Sequence, residues 1–170
     1  MKKLLVVVDM QNDFVTGALG TKEAVAILPF VAKKVKLARE NGVEVVFTRD
    51  THLENYPSTQ EGKKLPVLHC VKYTRGWEIV DGLFEDGERI FDKPTFGSLE
   101  LAEFVKNQEF DEVELIGVCT DICIVSNALL IKAYCPELKV QVDASCCAGV
   151  SKDSHESALK TMASCQIEIL

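Results

Sequence analysis

The chain has 170 residues, of which 47% are hydrophobic, and it is read as one α/β domain spanning residues 1–170 with enough apolar mass for a buried core. A formal net charge of −7 and the lack of any run of Lys or Arg long enough to overcome it locally argue against nucleic acid or an anionic membrane surface as a partner. No apolar stretch approaches membrane-spanning length, and seven cysteines, an odd number, fit a reducing cytoplasm with most thiols buried as small apolar side chains.

In chain order, the first residues have the charged start of a signal peptide, but Asp9 interrupts the apolar run too early and no small-residue cleavage site follows. They are read as a buried strand, Leu4–Asp9. A helix over Lys22–Asn41, closed by Asn41-Gly42, leads to a strand at Val43–Thr48. The stretch from Asp50 to Gly87 is too long for an ordinary connection and holds two of the three histidines and the only tryptophan. Then follow a strand at Glu88–Asp92, a helix over Ser98–Asn107 capped by Ser98, and a strand at Glu112–Val118. A helix over Asp121–Tyr134 capped by Asp121, a strand at Lys139–Val142, a helix over Lys152–Ser164 and a strand at Gln166–Ile169 complete the series. The strands are nearly continuous apolar runs rather than alternating ones, as burial on both faces of a parallel sheet demands.

In an open parallel sheet, ligands bind beyond the carboxyl ends of the strands. Strand one ends at Asp9, strand two runs to Asp50, strand three reaches Asp92-Lys93, and strand four opens the turn Gly117–Cys123. Taken singly, a strand-end Asp caps a turn, a loop Lys is solvated, and a free Cys fills space. Together they gather a carboxylate, an ammonium and a thiol on one rim. A helix N-terminus and a nearby ammonium lower a thiol's pKa, which makes a thiolate accessible near neutral pH, and turn amides there suit an oxyanion.

A second group is Asp50, His52 and His69, a donor set suited to a divalent metal such as zinc, iron or manganese. On spacing alone a surface Asp–His hydrogen bond is the stronger reading, because Asp-x-His is a common accident. Cys119 and Cys123 have no second cluster of thiols and histidines to complete a zinc site. His155, at the start of the last helix, reads as structural, while Phe14 and Trp77 are candidates to line a pocket for a flat ring.

The segments Val7-Val8-Asp9-Met10-Gln11-Asn12-Asp13-Phe14, Asp92-Lys93-Pro94-Thr95-Phe96 and Gly117-Val118-Cys119-Thr120-Asp121-Ile122-Cys123 together resemble the isochorismatase-like cysteine hydrolase family. The three appear in the family's order and span almost the whole chain. The resemblance implies a three-layer α/β/α Rossmann-like sandwich with a six-stranded, mainly parallel sheet, and a triad of Asp9, Lys93 and Cys123. It implies a cis peptide at Val118–Cys119 and an oxyanion site at the amides of Cys119 and Cys123.

Asp50-Thr51-His52 with His69-Cys70 resembles the metal-binding branch that includes nicotinamidases, which implies a divalent metal, zinc first, on Asp50, His52 and His69. Some members add a fourth ligand between the histidines, here Glu54 or Glu61. The chain departs from nicotinamidases at Thr51, where they usually have Trp, and at Pro66-Val67-Leu68, where they carry an aromatic before the histidine. The implied activity is hydrolysis of a small amide, nicotinamide foremost, in a dimer or tetramer. A ureido or N-carbamoyl substrate, or a catalytically silent thiol or interaction module on the same fold, is the alternative.

Overall fold

A computed structural model describes residues 1–170. Six strands run in chain order as β1 (Lys3–Val8), β2 (Glu44–Asp50), β3 (Arg89–Lys93), β4 (Glu112–Val118), β5 (Lys139–Ala148) and β6 (Glu168–Ile169). The helices are α1 (Asn12–Val15), α2 (Lys22–Glu40), α3 (Gln60–Lys64), α4 (Leu99–Gln108), α5 (Val125–Tyr134) and α6 (Lys152–Ser164). The strands pair in the order β3-β2-β1-β4-β5-β6, and every pairing is parallel.

Each strand feeds side chains to both faces. In β1, Leu4, Val6 and Val8 pack with Leu101 and Val105 of α4, Ala128 and Ile131 of α5 and Met162 of α6. Leu5 and Val7 pack on the other side with Ala24, Ile27, Val31 and Val35 of α2. Residues four or three apart on α2 thus form the single buried stripe that its periodicity requires. The result is the expected three-layer sandwich.

Two elements differ from the expected boundaries by more than two residues, each for a physical reason. β5 continues to Ala148, past the predicted end at Val142, because the register against β4 shifts between Leu115 and Gly117 and lets Cys147 and Ala148 pair with Gly117 and Val118. The helix expected to start at Asp121 instead opens with a π turn over Thr120–Ile124, preceded by Cys119 in extended conformation. Asp121 does not cap it; its carboxylate accepts the backbone N–H of Val150 at 3.0 Å and ties the turn to the loop before α6. The long segment between β2 and β3 holds a 3₁₀ turn at Tyr56–Ser58 and the short α3.

This strand order places the switch point of the sheet beside β1, since the chain leaves β1 for β2 on one side and returns to β4 on the other. Val8 lies level with Thr48 of β2 and Gly117 of β4, and Asp50 lies level with Lys93. Gly117 has φ +118°, and a Cβ there would collide with the carbonyl oxygen of Val8. Gly117→Ala is therefore expected to destabilise the fold by about 3 kcal/mol or more in urea unfolding. A loss below about 0.5 kcal/mol would show that the strand end is not held that closely.

Candidate active site

Asp9 follows the last residue of β1 with φ +49°, a left-handed conformation that Asp tolerates better than most residues. Its backbone N–H reaches the Thr48 hydroxyl at 3.2 Å, and that hydroxyl donates to Asp9 Oδ1 at 2.6 Å. Lys93 Nζ meets Asp9 Oδ2 at 2.6 Å, with Asp9 0% and Lys93 1% exposed. The same ammonium lies 3.4 Å from Cys123 Sγ, 3.4 Å from Asp50 Oδ1 and 3.2 Å from the Thr95 carbonyl. The carboxylate, ammonium and thiol singled out in the sequence are thus in one buried cluster.

The electrostatics correct one expectation. Burial pushes the Cys123 thiol well above the ordinary thiol range; the Asp9 carboxylate adds to this, and Lys93 opposes it only in part. That direction is opposite to the lowering that the helix terminus and ammonium led us to expect. Burial also raises the Asp9 carboxyl, against the pull of Lys93, which makes it a stronger proton acceptor beside that thiol. Burial would depress Lys93, but Asp9, Cys123 and Asp50 outweigh it and keep the ammonium charged. Burial pushes the neighbouring Cys119 thiol up to about 12.

Asp50 is shared between this cluster and a second one. Its Oδ1 faces Lys93, while its Oδ2 lies 3.0 Å from His52 Nε2 and 3.5 Å from His69 Nε2. Burial works against the Asp50 carboxylate, but hydrogen bonds from both histidines and the Lys93 charge hold it well below the usual carboxylate range. Glu61 Oε1 stands 3.7 Å from His52 Nε2, and the donor atoms of Asp50, His52, Glu61 and His69 all fall within 4.8 Å of one another. Four converging O and N donors, three of them on buried residues, fit a divalent ion such as zinc. Of the two glutamates weighed in the sequence, Glu61 joins this group, and Glu54 is exposed and outside it.

Three residues that sequence reasoning passed over hold the frame. The Gln11 side chain accepts the Asp50 N–H at 2.7 Å and donates to the Asp50 carbonyl at 2.9 Å and the Trp77 carbonyl at 2.8 Å. Asp13 accepts the Cys70 N–H at 2.8 Å, next to His69, and Gly76 lies so close to its carboxylate that any side chain there would collide. Asn127 accepts the Ser98 N–H at 2.9 Å and donates to the carbonyls of Cys123 at 2.8 Å and Phe96 at 3.1 Å. Gln11 and Asp13 lie inside the Asp9–Phe14 segment, so a signal was there; Asn127 left none, since a mid-helix Asn has no distinguishing spacing.

A cavity of about 410 Å³ opens above Cys123, with Phe14, Leu19, Ile122 and Cys119 as walls and Asp50, Glu61 and His69 at one end. Phe14 lines this cavity. Trp77 does not: its ring is covered by the Arg49 guanidinium at 3.5 Å, and its Nε1–H donates to the Thr51 hydroxyl at 2.8 Å. That bond also shows where Thr51 has gone. His155 has the structural place expected of it, with Nδ1 2.7 Å from the Thr120 hydroxyl. The Val118–Cys119 peptide is cis. A slightly larger hollow, about 460 Å³, lies at the amino ends of β2 and β3, but its Arg39 and Glu88 satisfy each other and it contains no thiol or histidine.

The isochorismatase domain model matches residues 3–170. The chain is 32% identical to a pyrazinamidase of Pyrococcus horikoshii solved in complex with zinc, with 100% of this chain and 99% of that one covered and a TM-score of 0.88. It is 26% identical to a nicotinamidase/pyrazinamidase of Mycobacterium tuberculosis, over 99% of this chain and 98% of the relative. It is 35% identical to a protein of Arabidopsis thaliana named a probable inactive nicotinamidase, over 71% of this chain and 67% of the relative.

Removing the ammonium would leave the Asp9 carboxylate buried without its counter-charge. Lys93→Met is expected to cost about 3–5 kcal/mol in denaturant unfolding at neutral pH, and adding Asp9→Asn should recover much of that loss. Additive losses in the double variant would contradict the pairing.

Proposed function

The chain belongs to the isochorismatase family, and from that membership and the site's geometry we propose that it is an amidohydrolase with Cys123 as its nucleophile and nicotinamide as the leading substrate. The observation that carries this reading is the contact of the Lys93 ammonium with both the Asp9 carboxylate and the Cys123 thiol at the floor of a cavity.

In this mechanism Asp9 takes the Cys123 proton as the sulfur attacks the carboxamide carbon, so the buried thiol need not ionise before substrate arrives. Lys93 holds the Asp9 carboxylate in place and offsets the negative charge that passes between oxygen and sulfur. The backbone N–H groups of Cys119 and Cys123 receive the oxyanion. As the C–N bond breaks, Asp9 returns the proton to the departing amine, which leaves as ammonia. A water then adds to the thioester, giving its proton to Asp9, and the acid leaves as the thiol is restored.

Asp50, His52, Glu61 and His69 would hold a divalent ion, zinc first, with iron and manganese served by the same donors. The ion would supply Lewis-acid attraction for a ring nitrogen, directly or through a bound water. Phe14 would stack beside the ring. The substrate is a small amide, and a homo-oligomer and a cytoplasmic setting accompany the reading. No helix is long and apolar enough to cross a membrane.

The relative named as probably inactive supports a second reading, a silent member of the family that keeps the thiol without turnover. Ammonia release separates the two. Zinc-loaded protein is expected to release ammonia from nicotinamide, and Cys123→Ala to lower kcat/KM by at least about a thousandfold with the fold intact. Turnover retained by the variant would exclude Cys123 as nucleophile. A wild-type protein that releases no ammonia and whose Cys123 resists an alkylating probe would favour the silent reading.

The metal reading has its own test. Metal-free protein is expected to bind one zinc ion per chain, and His52→Ala to weaken binding by at least about tenfold in competition with a chromophoric chelator. Unchanged affinity would remove His52 from the ligand set.

A further inference from the structure

The cavity above Cys123 is built almost wholly of apolar side chains. Apart from the two thiols and the Asp50, Glu61 and His69 group at one end, the Thr21 hydroxyl is the one polar side chain in its lining. No Arg, Lys, Asn, Gln or Tyr lines it, so a phosphate, sugar or charged substituent on a substrate would lose its water there without a partner. Its volume of about 410 Å³ is in the range that holds drug-sized ligands rather than a single bare ring.

The mouth of the same cavity is apolar too. Leu65 from the end of α3, Phe96 from the loop after β3 and Val150 from the loop before α6 line the cavity and are also exposed by 39%, 41% and 59%, which puts them at its opening. Three separate segments thus present apolar surface to water around one opening. The Tyr56 hydroxyl holds the Leu65 carbonyl at 3.0 Å, and Asn127 holds the Phe96 carbonyl at 3.1 Å, so two of the three sit on anchored backbone.

We propose that the site prefers heteroaryl carboxamides bearing an apolar substituent on the ring edge opposite the carboxamide and ring nitrogen, seated against Leu65, Phe96 and Val150. This rests on the amidohydrolase reading above. With the carboxamide carbon over Cys123 and the ring nitrogen toward the Asp50 group, ring carbon 5 is the position farthest from both and faces the mouth. An alkyl group there leaves the water-exposed side of the opening and covers apolar surface that plain nicotinamide leaves wet. The reaction is unchanged: the carboxamide C–N bond is hydrolysed and the substituent takes no part.

The test compares ammonia release by the zinc-loaded protein from nicotinamide, 5-propylnicotinamide and 5-carboxynicotinamide. Each buried methylene is worth about fourfold, so kcat/KM for the propyl compound should exceed that for nicotinamide by at least about tenfold. The carboxy compound should be the poorest of the three. In Leu65→Asp/Phe96→Asp protein the propyl-to-parent ratio should fall to about one, with the molecular mass by light scattering unchanged. Nicotinamide turned over as well as or better than the propyl compound would overturn the preference and leave the amidohydrolase reading standing. No turnover of any of the three would overturn both. A variant whose mass falls while its selectivity ratio persists would show that a second copy covers the mouth, and would overturn the proposal.

Discussion

Placing an ammonium ion out of contact with water at the end of a parallel sheet is costly unless carboxylates accompany it, and Lys93 has two. Asp9 lies at 2.6 Å and Asp50 at 3.4 Å, and each is drawn from a different strand of the sheet. A buried pair of this kind adds little net stability compared with apolar packing, yet losing one member is expensive. The fold is therefore constrained to keep β1, β2 and β3 in register at their carboxyl ends. The thiol of Cys123, contributed from beyond β4, completes the ring of groups around the same nitrogen. Asp50 extends the constraint outward, because its second oxygen faces the two histidines.

Backbone anchoring maintains these distances. Gln11 fixes both the N–H and the carbonyl of Asp50, so the carboxylate that joins the two clusters cannot tilt freely. Asp13 fixes the N–H of Cys70 and with it the segment that carries His69. Asn127 ties the turn of Cys123 to the loop of Phe96, which connects the nucleophile candidate with one wall of the cavity mouth. All three side chains are amides or carboxylates whose bonds run to main-chain atoms, at the end of β2, in the turn of Cys123 and in the loops beside them.

Much of the fold was legible in the sequence because a strand buried on both faces has little compositional freedom: Leu4–Val8, Val45–Phe47 and Val113–Val118 are nearly unbroken apolar runs. Strand ends were legible for the same reason, since charges close such runs: Asp9 directly after Val8, Arg49-Asp50 after Phe47-Thr48, and Asp92-Lys93 after Phe91. The start of the helix after β4 was not, because Asp121 has the composition of an N-cap while the backbone there forms a π turn. Trp77 was misplaced because nothing local to a long loop says which side of it faces the cavity; the Arg49 and Thr51 side chains decide that. Glu61 and Glu54 were indistinguishable by spacing, and only the packing of α3 near His52 separates them. The upward push that burial gives the Cys123 thiol was not legible, because dipole and neighbouring charge can be read from sequence order, while depth of burial cannot.

The account depends on a covalent bond between Cys123 and the acyl group. Acid-quenched mixtures of zinc-loaded protein and nicotinamide, digested and examined by mass spectrometry, measure it most directly. The predicted result is a nicotinoyl thioester on the peptide containing Cys119 and Cys123, localised to Cys123 and absent from Cys123→Ala protein. Turnover with no acyl adduct at any quench time, or an adduct on Cys119 that persists in Cys123→Ala protein, would contradict the account.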